Sequence, residues 1–271
     1  MFKYIKIFFG TLDNYQWGSN MHYLYSGAKK IHPTYVQNML SDNSYDHDKI
    51  YSTLKSLNKN DIKKFNPNLL SEYKNNDLVI NSNKLNKFLK TKNFLILGPG
   101  KSVNQFKNQI ENFIKKNNVC VVALNSTNSV NSNLIKARSV SNSFKFWSEL
   151  KKIKKMDQMI ILPSFFINSQ TKTILKRKKL LFYDFQVVSN LFSVNKNLCK
   201  IPKDLVLCYA LCLAIKSKAD NIFCAGLDGY EKNEENKNVD VNLVISQFKT
   251  TFKRKLVSLT PTKYDLQSVD I

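Results

Sequence analysis

The stretch NFLILGPGKSVNQF, residues 93–106, decides how the rest of this 271-residue chain is interpreted. Four apolar residues at 94–97 run into the turn GPGKS, and a helical pattern follows. Phosphate-binding loops occur where a strand ends in glycines before a helix, because that helix presents free amides and its positive dipole end. A tight strand-to-helix turn that binds nothing has the same appearance, and the sequence leaves both interpretations open.

Two well-defined phosphate-loop motifs do not fit this turn. A Walker loop requires a glycine at the position of Leu95, which lies inside the apolar run. A dinucleotide fingerprint requires a third glycine where Val103 stands, and Pro99 stiffens its middle. What remains is a glycine turn that lets the backbone approach a mono- or diphosphate. Its candidate ligand-binding residues are Gly98, Gly100, Lys101 and Ser102.

Short apolar runs alternate with helical segments from residue 93 onward. The runs are apolar on both faces, as a parallel sheet covered by helices requires, and they lie at 94–97, 119–124, 159–162, 222–225 and 256–259. Apolar residues from Val103 to Ile114 share one face of an amphipathic helix, whereas 203–218 is apolar nearly all round. The pattern predicts an α/β fold with a doubly wound, mostly parallel, Rossmann-like sheet whose ligand lies beyond the carboxyl ends of its strands.

Three segments of the chain differ in their sequence pattern. Residues 1–75 show helical periodicity, with an apolar stripe after His32-Pro33, and are predicted to form a small helical extension that cannot close a core alone. Residues 76–92 form a predicted linker with a short helix. Residues 93–271 form the predicted Rossmann-like domain.

The net charge of +22 would ordinarily indicate a nucleic-acid or membrane partner. Nearly all the cations are lysine, however, and phosphate and groove recognition relies heavily on arginine's bidentate fork. The sequence therefore argues against a nucleic-acid partner. No run reaches the 18 or so apolar residues of a membrane span, and MFKYIKIFF at the start is too short and too rich in lysine for a signal peptide, so we expect a cytoplasmic protein.

The five cysteines lie in apolar surroundings, with no C-x-x-C spacing. This pattern favours buried, reduced thiols over a disulfide framework or a zinc site. Cys208 and Cys212 stand four residues apart on one helix face, which is a geometry that can hold a soft metal. No histidine or third cysteine is near them in sequence, so core packing is the better interpretation and no metal is expected.

The end of the chain carries a more specific pattern. Residues 201–230 (IPKDLVLCYALCLAIKSKADNIFCAGLDGY), SLTPTKY at 258–264 and SVD at 268–270 resemble the C-terminal domain fused behind HMG-CoA-lyase-like aldolases of bacterial surface-sugar biosynthesis. This resemblance spans residues 93–271. Residues 15–40, beginning YQWGS, look like the helical extension that closes the same aldolases. The chain thus resembles the last part of such a fusion, without the catalytic barrel.

This resemblance bears on the expected chemistry. Aldolases of this kind bind a divalent metal through an H-x-H pair, which this chain lacks, and the metal stabilises the enolate. Aldol cleavage is therefore not expected from this chain alone. More remotely, the domain is similar to bacterial lipooligosaccharide sialyltransferases and motility-associated glycosyltransferases, in which the glycine turn and an asparagine ending the second strand, here Asn125, hold a CMP-sugar. The implied ligand is a cytidine nucleotide or its sugar conjugate, with no other cofactor.

The GLDGY box at 226–230 and the TPT turn at 260–262 supply the other candidates. Asp228 has three open roles: ligand contact, capping of its own turn, and catalysis in place of the histidine base that the related enzymes use, since no histidine follows His47. Tyr230 is expected either to contact a base or phosphate or to pack as an interfacial tyrosine. The remaining candidates, expected to contact a phosphate or sugar or else to shape turns, are Gly226, Thr260 and Thr262.

The leading hypothesis is a nucleotide-binding domain, of the CMP-sugar type, in an aldolase-associated protein of surface-polysaccharide or nonulosonic-acid-like sugar metabolism. Binding or regulation is favoured over independent catalysis. One alternative is a glycosyltransferase that uses a CMP-sugar donor. Another is a subunit of a split aldolase, with residues 1–75 docking on a separately encoded barrel. The expected partners are accordingly a nucleotide or nucleotide-sugar, and either a separate aldolase barrel or further copies of the chain.

Overall fold

A computed structural model describes residues 82–271, with the exception of 127–129, 143–145, 147–148, 165–174, 176–179, 232–234 and 270. The predicted helical extension at 1–75 lies outside the described residues, as does the first part of the predicted linker. The remainder of that linker contains the first described helix, which begins at Ser82.

Eleven strands and six α-helices make up the described domain. The strands are β1 Asn93–Leu97, β2 Cys120–Leu124, β3 Ala137–Ser139, β4 Met159–Leu162, β5 Leu180–Phe182, β6 Asp184–Val187, β7 Ser193–Val194, β8 Leu198–Ile201, β9 Asn221–Ala225, β10 Leu256–Ser258 and β11 Gln267–Ser268. The helices are α1 Ser82–Leu89, α2 Ser102–Gln105, α3 Lys107–Lys116, α4 Leu150–Lys154, α5 Val206–Lys216 and α6 Glu235–Phe252.

Eight strands form one sheet in the order β11-β10-β9-β1-β2-β3-β4-β5, and every neighbouring pair is parallel. The predicted doubly wound parallel sheet is thereby confirmed. Each of the five apolar runs identified in the sequence matches one strand, with bounds that agree to within one residue. The central strands β1 and β2 are almost entirely buried, because helices cover both faces of the sheet.

The two faces of the sheet have separate cores. On one face α1, α5 and α6 pack against the sheet, and Leu85, Leu211 and Phe248 are fully buried there. On the other face α3 packs through Ile110 and Ile114. The predicted amphipathic helix is interrupted at Phe106, whose backbone is not helical (φ −103°, ψ 21°). It therefore forms two separate helices, α2 and α3, which share one apolar face.

A second sheet of three strands lies beside α5. In it β6 pairs in parallel with β8, and β7 pairs with β8 in the antiparallel sense. Two side chains of α5 bond to this region. The Lys216 ammonium donates to the carbonyls of Asn195 and Lys196, and the Tyr209 hydroxyl donates to the Tyr183 carbonyl. Among the described helices, none is long and apolar enough to cross a membrane.

Candidate functional site

The order of the strands reverses between β1 and β9. From β1 the chain adds β2 to β5 on one side of the sheet, and it later returns to place β9, β10 and β11 on the other side. At such a reversal the connections leave the two adjacent strands toward opposite faces, which opens a crevice at the carboxyl ends of the strands. The glycine turn follows β1 and the GLDGY box follows β9, so the structure brings both predicted motifs to this point.

The glycines of the two turns pack directly against each other. The Gly100 amide donates to the Gly226 carbonyl at 2.9 Å. A Cβ on Gly98 or Gly100 would collide with the carbonyl of Gly226, and one on Gly100 would also strike the Asp228 carboxylate. Gly226 has a φ of +72°, and a Cβ there would overlap Val103. The close approach that these glycines allow is the approach of one turn to the other.

Asp228 caps the short helix that follows the glycine turn. Its carboxylate accepts the Ser102 amide at 2.9 Å and also the Ser102 hydroxyl. The negative charge at the start of α2 is therefore supplied by the chain itself. These contacts cap α2 and not the turn of Asp228 itself, so they give the residue a role that the sequence did not suggest, and ligand contact, capping of its own turn and catalysis stay predictions. Lys101 is exposed at the same turn.

The other predicted residues beside β9 also bond within the loops. The Thr260 hydroxyl accepts the Gly226 amide at 3.0 Å, and the Thr262 hydroxyl donates to the Leu227 carbonyl and accepts the Tyr264 amide. The backbone amide and carbonyl of Tyr230 pair with the side chain of Asn238. The Lys237 ammonium lies 5.2 Å from the centre of the Tyr230 ring. Ligand contacts of these residues stay predictions.

The carboxyl ends of β2 and β3 differ from those of β1 and β9. Asn125 adopts a left-handed φ of 55°, and its amide donates to the Ser139 carbonyl at 2.9 Å. In the part of the chain that the structure describes, the following side-chain oxygens are buried and have no hydrogen-bond partner: Asn125 Oδ1, Ser126 Oγ, Ser139 Oγ and Ser141 Oγ. Because β2 and β3 are neighbouring parallel strands, all four lie at the same edge of the sheet as the glycine turn.

A buried arginine supports this group of oxygens. The Arg138 guanidinium donates to the Asn125 carbonyl at 3.2 Å and to the Gln158 side chain at 3.1 Å. Burial lowers the pKa of Arg138 to about 10, and the nearby Glu149 carboxylate partly offsets this shift. The guanidinium is therefore charged at neutral pH, and it holds in place the backbone of Asn125.

The start of α5 lies at the same edge. The carbonyl of Ser217, just past the end of α5, accepts the Thr91 amide that precedes β1, so α5 ends near the amino edge and begins toward the carboxyl edge. The first amides of an α-helix have no acceptor within the helix, and the N-cap residue of this one, Leu205, makes no side-chain capping bond. Together they form the positive end of the dipole of an 11-residue helix.

Asp204 stands two residues before α5. Both of its carboxyl oxygens are buried, and within the described residues neither has a hydrogen-bond partner. Burial raises the pKa of Asp204 well above its usual value, so the carboxyl group holds its proton to a higher pH than an exposed aspartate does. The uncapped helix start and this unpaired carboxyl group are close neighbours in the chain.

The sequence did not suggest the following residues as candidates: Ser126, Ser139, Ser141, Asp204 and Arg138. One signal was available: small polar residues at 139 and 141, in the segment ARSVS, are typical of residues that follow a buried strand. Strand β3 has only three residues and includes an arginine, so no apolar run marked it. The cysteines, by contrast, are as expected, because all five are buried free thiols. Burial raises the pKa of Cys208 and of Cys212, which suits packing residues.

The parallel sheet and the crevice at its reversal define a doubly wound, Rossmann-like α/β domain. No protein-family model matches the chain, and a comparison with curated proteins finds no match. The functional assignment therefore depends on the residues at the carboxyl edge.

Proposed function

We propose that the domain binds a cytidine nucleotide or CMP-sugar at the carboxyl edge of its sheet, as part of an aldolase-associated protein of surface-polysaccharide or nonulosonic-acid-like sugar metabolism. The observation that carries the binding proposal is the set of four buried side-chain oxygens without partners at the ends of β2 and β3. The set is named here the open oxygens: Asn125 Oδ1, Ser126 Oγ, Ser139 Oγ and Ser141 Oγ.

A buried polar atom without a partner costs about 1–3 kcal/mol, so four at one edge of a sheet are expensive for the free protein. A ligand that supplies donors and acceptors there recovers this cost on binding. The hydroxyls of a ribose and the amino and carbonyl groups of a cytosine are groups of this kind. The three serine hydroxyls can each donate as well as accept, whereas Asn125 Oδ1 only accepts.

The first turn of α5 is a better phosphate site than the start of α2. The start of α2 is filled by Asp228, and this helix has only four residues. Ser139 shares its face of the sheet with Ala137, because side chains in a strand alternate, and Ala137 belongs to the core that contains α5. A ligand that reaches the Ser139 hydroxyl therefore lies on the face that α5 covers.

One observation favours binding over sugar transfer. Both oxygens of the Asp228 carboxylate already accept bonds from Ser102, which lowers its availability as a general base. The cytidine and sugar parts of the proposal come from the resemblance of residues 93–271 to the aldolase fusions and the sialyltransferases. The split-aldolase alternative depends on residues 1–75, which lie outside the described residues.

Calorimetric titration and thermal unfolding with CMP, CTP and a CMP-sugar test this proposal. Ligand at 100 times its Kd should add about 2.7 kcal/mol to the free energy of unfolding. We expect the double variant Ser139→Ala/Ser141→Ala to bind CMP at least about tenfold more weakly, because it loses two hydroxyl contacts. UMP and ribose 5-phosphate are the comparison ligands for base specificity.

Ser258→Ala is the matched control, because Ser258 also ends a strand, is also fully buried, and donates its hydroxyl to the Thr260 carbonyl at 2.7 Å. It should retain CMP affinity. Absence of stabilisation by any cytidine nucleotide at millimolar concentration would overturn the proposal, as would equal losses in the double variant and the control. Release of the sugar from a CMP-sugar that disappears in Asp228→Asn would instead indicate a glycosyltransferase.

A further inference from the structure

The amino edge of the sheet, opposite the proposed nucleotide site, contains a cavity of about 450 Å³. Its wall comes from the segment before β1, the turn between α3 and β2, and the residue before β3. The lining residues are Lys90, Thr91, Lys92, Asn93, Asn117, Asn118, Val119, Cys120 and Lys136. A smaller cavity of about 240 Å³ adjoins it through Lys136. The larger cavity is named here the lysine pocket.

Three lysines line the lysine pocket, and none of them forms an ion pair with a carboxylate of the described residues. They are Lys90, Lys92 and Lys136, and all three are exposed. No acidic residue lines the pocket itself. Two acids lie beside it: Asp220, whose backbone amide donates to the Lys92 carbonyl at 2.9 Å, and Asp157, which lines the smaller cavity. The Lys136 ammonium lies 5.1 Å from the centre of the Phe88 ring, which limits its freedom.

The polar wall of the lysine pocket is held by its own hydrogen bonds. The Asn93 side chain donates to the Asn117 carbonyl at 2.7 Å and accepts from the Asn221 side chain at 2.9 Å. Cys120 lines it as a neutral thiol, because burial raises its pKa to about 11 even though the Lys136 ammonium acts in the opposite direction. No negative charge from the thiol therefore cancels the lysines at neutral pH.

We propose that the lysine pocket binds a small anion with at least two negative charges, of the pyrophosphate or phosphorylated-sugar class. Its volume lies within the range of small-molecule sites, about 300–1,000 Å³. Three lysines that form no ion pair with a described carboxylate attract a multiply charged anion, and a compact ammonium acts on phosphate as a point charge. A five-residue strand is roughly 16 Å long, so an anion here cannot be the phosphate of a nucleotide at the carboxyl edge.

Titration of the full chain with inorganic pyrophosphate, followed by calorimetry, tests this site. We expect one pyrophosphate per chain, and we expect the double variant Lys92→Gln/Lys136→Gln to bind it at least about tenfold more weakly. Lys107→Gln/Lys255→Gln is the matched control. It removes the same net charge through two exposed lysines, at the start of α3 and before β10, that do not line the pocket. Far-UV circular dichroism should show unchanged folding in both double variants.

The control variant separates a site from the general attraction of a cationic protein. The proposal is overturned if pyrophosphate does not bind or if both double variants lose affinity equally. It is also overturned if titration with sodium chloride at equal ionic strength gives the same heat as titration with pyrophosphate. Its outcome is independent of the nucleotide proposal, because the Ser139→Ala/Ser141→Ala variant should bind pyrophosphate normally and Lys92→Gln/Lys136→Gln should bind CMP normally.

Discussion

The carboxyl edge of the sheet has two halves that treat their polar groups differently. Beside β1 and β9, the Asp228 carboxylate, the Thr260 hydroxyl and the Thr262 hydroxyl all bond to neighbouring loop atoms. Beside β2 and β3, the open oxygens are buried and have no partners among the described residues. We call the first half closed, because its polar groups are paired within the chain, and the second half open, because its buried oxygens are unpaired.

This difference separates groups that maintain the fold from groups that are available to a ligand. Buried polar atoms in native proteins are nearly always paired, so a cluster of exceptions calls for a specific cause. The closed half explains its glycines and threonines without any ligand, because each one serves a contact between two turns. The open half has no such internal explanation, and its unpaired groups are what a bound molecule would satisfy.

The largest effect that tests this comparison is expected for Gly226→Ala. Its left-handed φ of +72° and the overlap of a Cβ with Val103 and the Gly98 carbonyl should cost about 3 kcal/mol of unfolding free energy. Urea unfolding measures this loss. Such a loss in the absence of any ligand is the expected behaviour of a turn that the chain closes by its own packing.

Gly229→Ala is the matched control in the same box. Its φ is also left-handed, at +95°, but the three atoms nearest to a Cβ there, at 2.9–3.1 Å, belong to the Lys263 side chain and not to the backbone. We therefore expect a smaller loss, about 1 kcal/mol. If Gly226→Ala were tolerated as well as Gly229→Ala, the two turns would not be packed against each other as described.

The strands that could be predicted are those that a short apolar run of sequence is enough to identify. Runs of four or five apolar residues, such as 94–97 and 222–225, need little context, since a strand covered on both faces has no other pattern. The strands β3, β5 and β11 have only two or three residues and take their position from pairing with longer neighbours. No short window of sequence contains that information.

The candidate site divides in the same way. That the glycine turn and Asp228 share one edge follows from a parallel sheet, and the structure brings them together. The partner of the Asp228 carboxylate, Ser102, is 126 residues away, so capping of α2 by Asp228 could not be predicted from the sequence alone. Ser139 and Asp204 became candidates only because the structure shows them buried without partners.

A moderate effect is expected from comparing two aspartates, one paired and one unpaired. Asp228→Asn should lose about 1–2 kcal/mol of unfolding free energy at pH 7, because an amide cannot accept both Ser102 donors. Asp204→Asn has no hydrogen bond to lose. Urea unfolding at several pH values measures both variants against the parent chain.

The pH dependence sharpens this contrast. Because the pKa of Asp204 is raised in the folded state, the unfolded chain releases this proton first as the pH rises above about 4. The parent chain then loses stability until the folded carboxyl group also ionises, whereas Asp204→Asn has no loss at this position. The difference in favour of Asp204→Asn should therefore grow with pH. Burial also raises the pKa of Asp184, but this residue is present in both chains, so its contribution cancels in the difference. A constant difference from pH 4 to pH 9 would contradict an unpaired, buried Asp204.

The smallest loss of stability is expected for Ser139→Ala in the absence of ligand. Its hydroxyl is buried without a partner, so its removal deletes no hydrogen bond and relieves the cost of burying that hydroxyl, and the unfolding free energy should stay the same or rise by up to about 1–3 kcal/mol. Ser258→Ala, at an equally buried strand end, removes a bond to the Thr260 carbonyl and should cost about 1 kcal/mol. Urea midpoints of the two variants give this difference directly. A loss at Ser139 as large as that at Ser258 would mean that the Ser139 hydroxyl already has a partner in the free protein. The open half of the edge would then be as closed as the half beside β1 and β9.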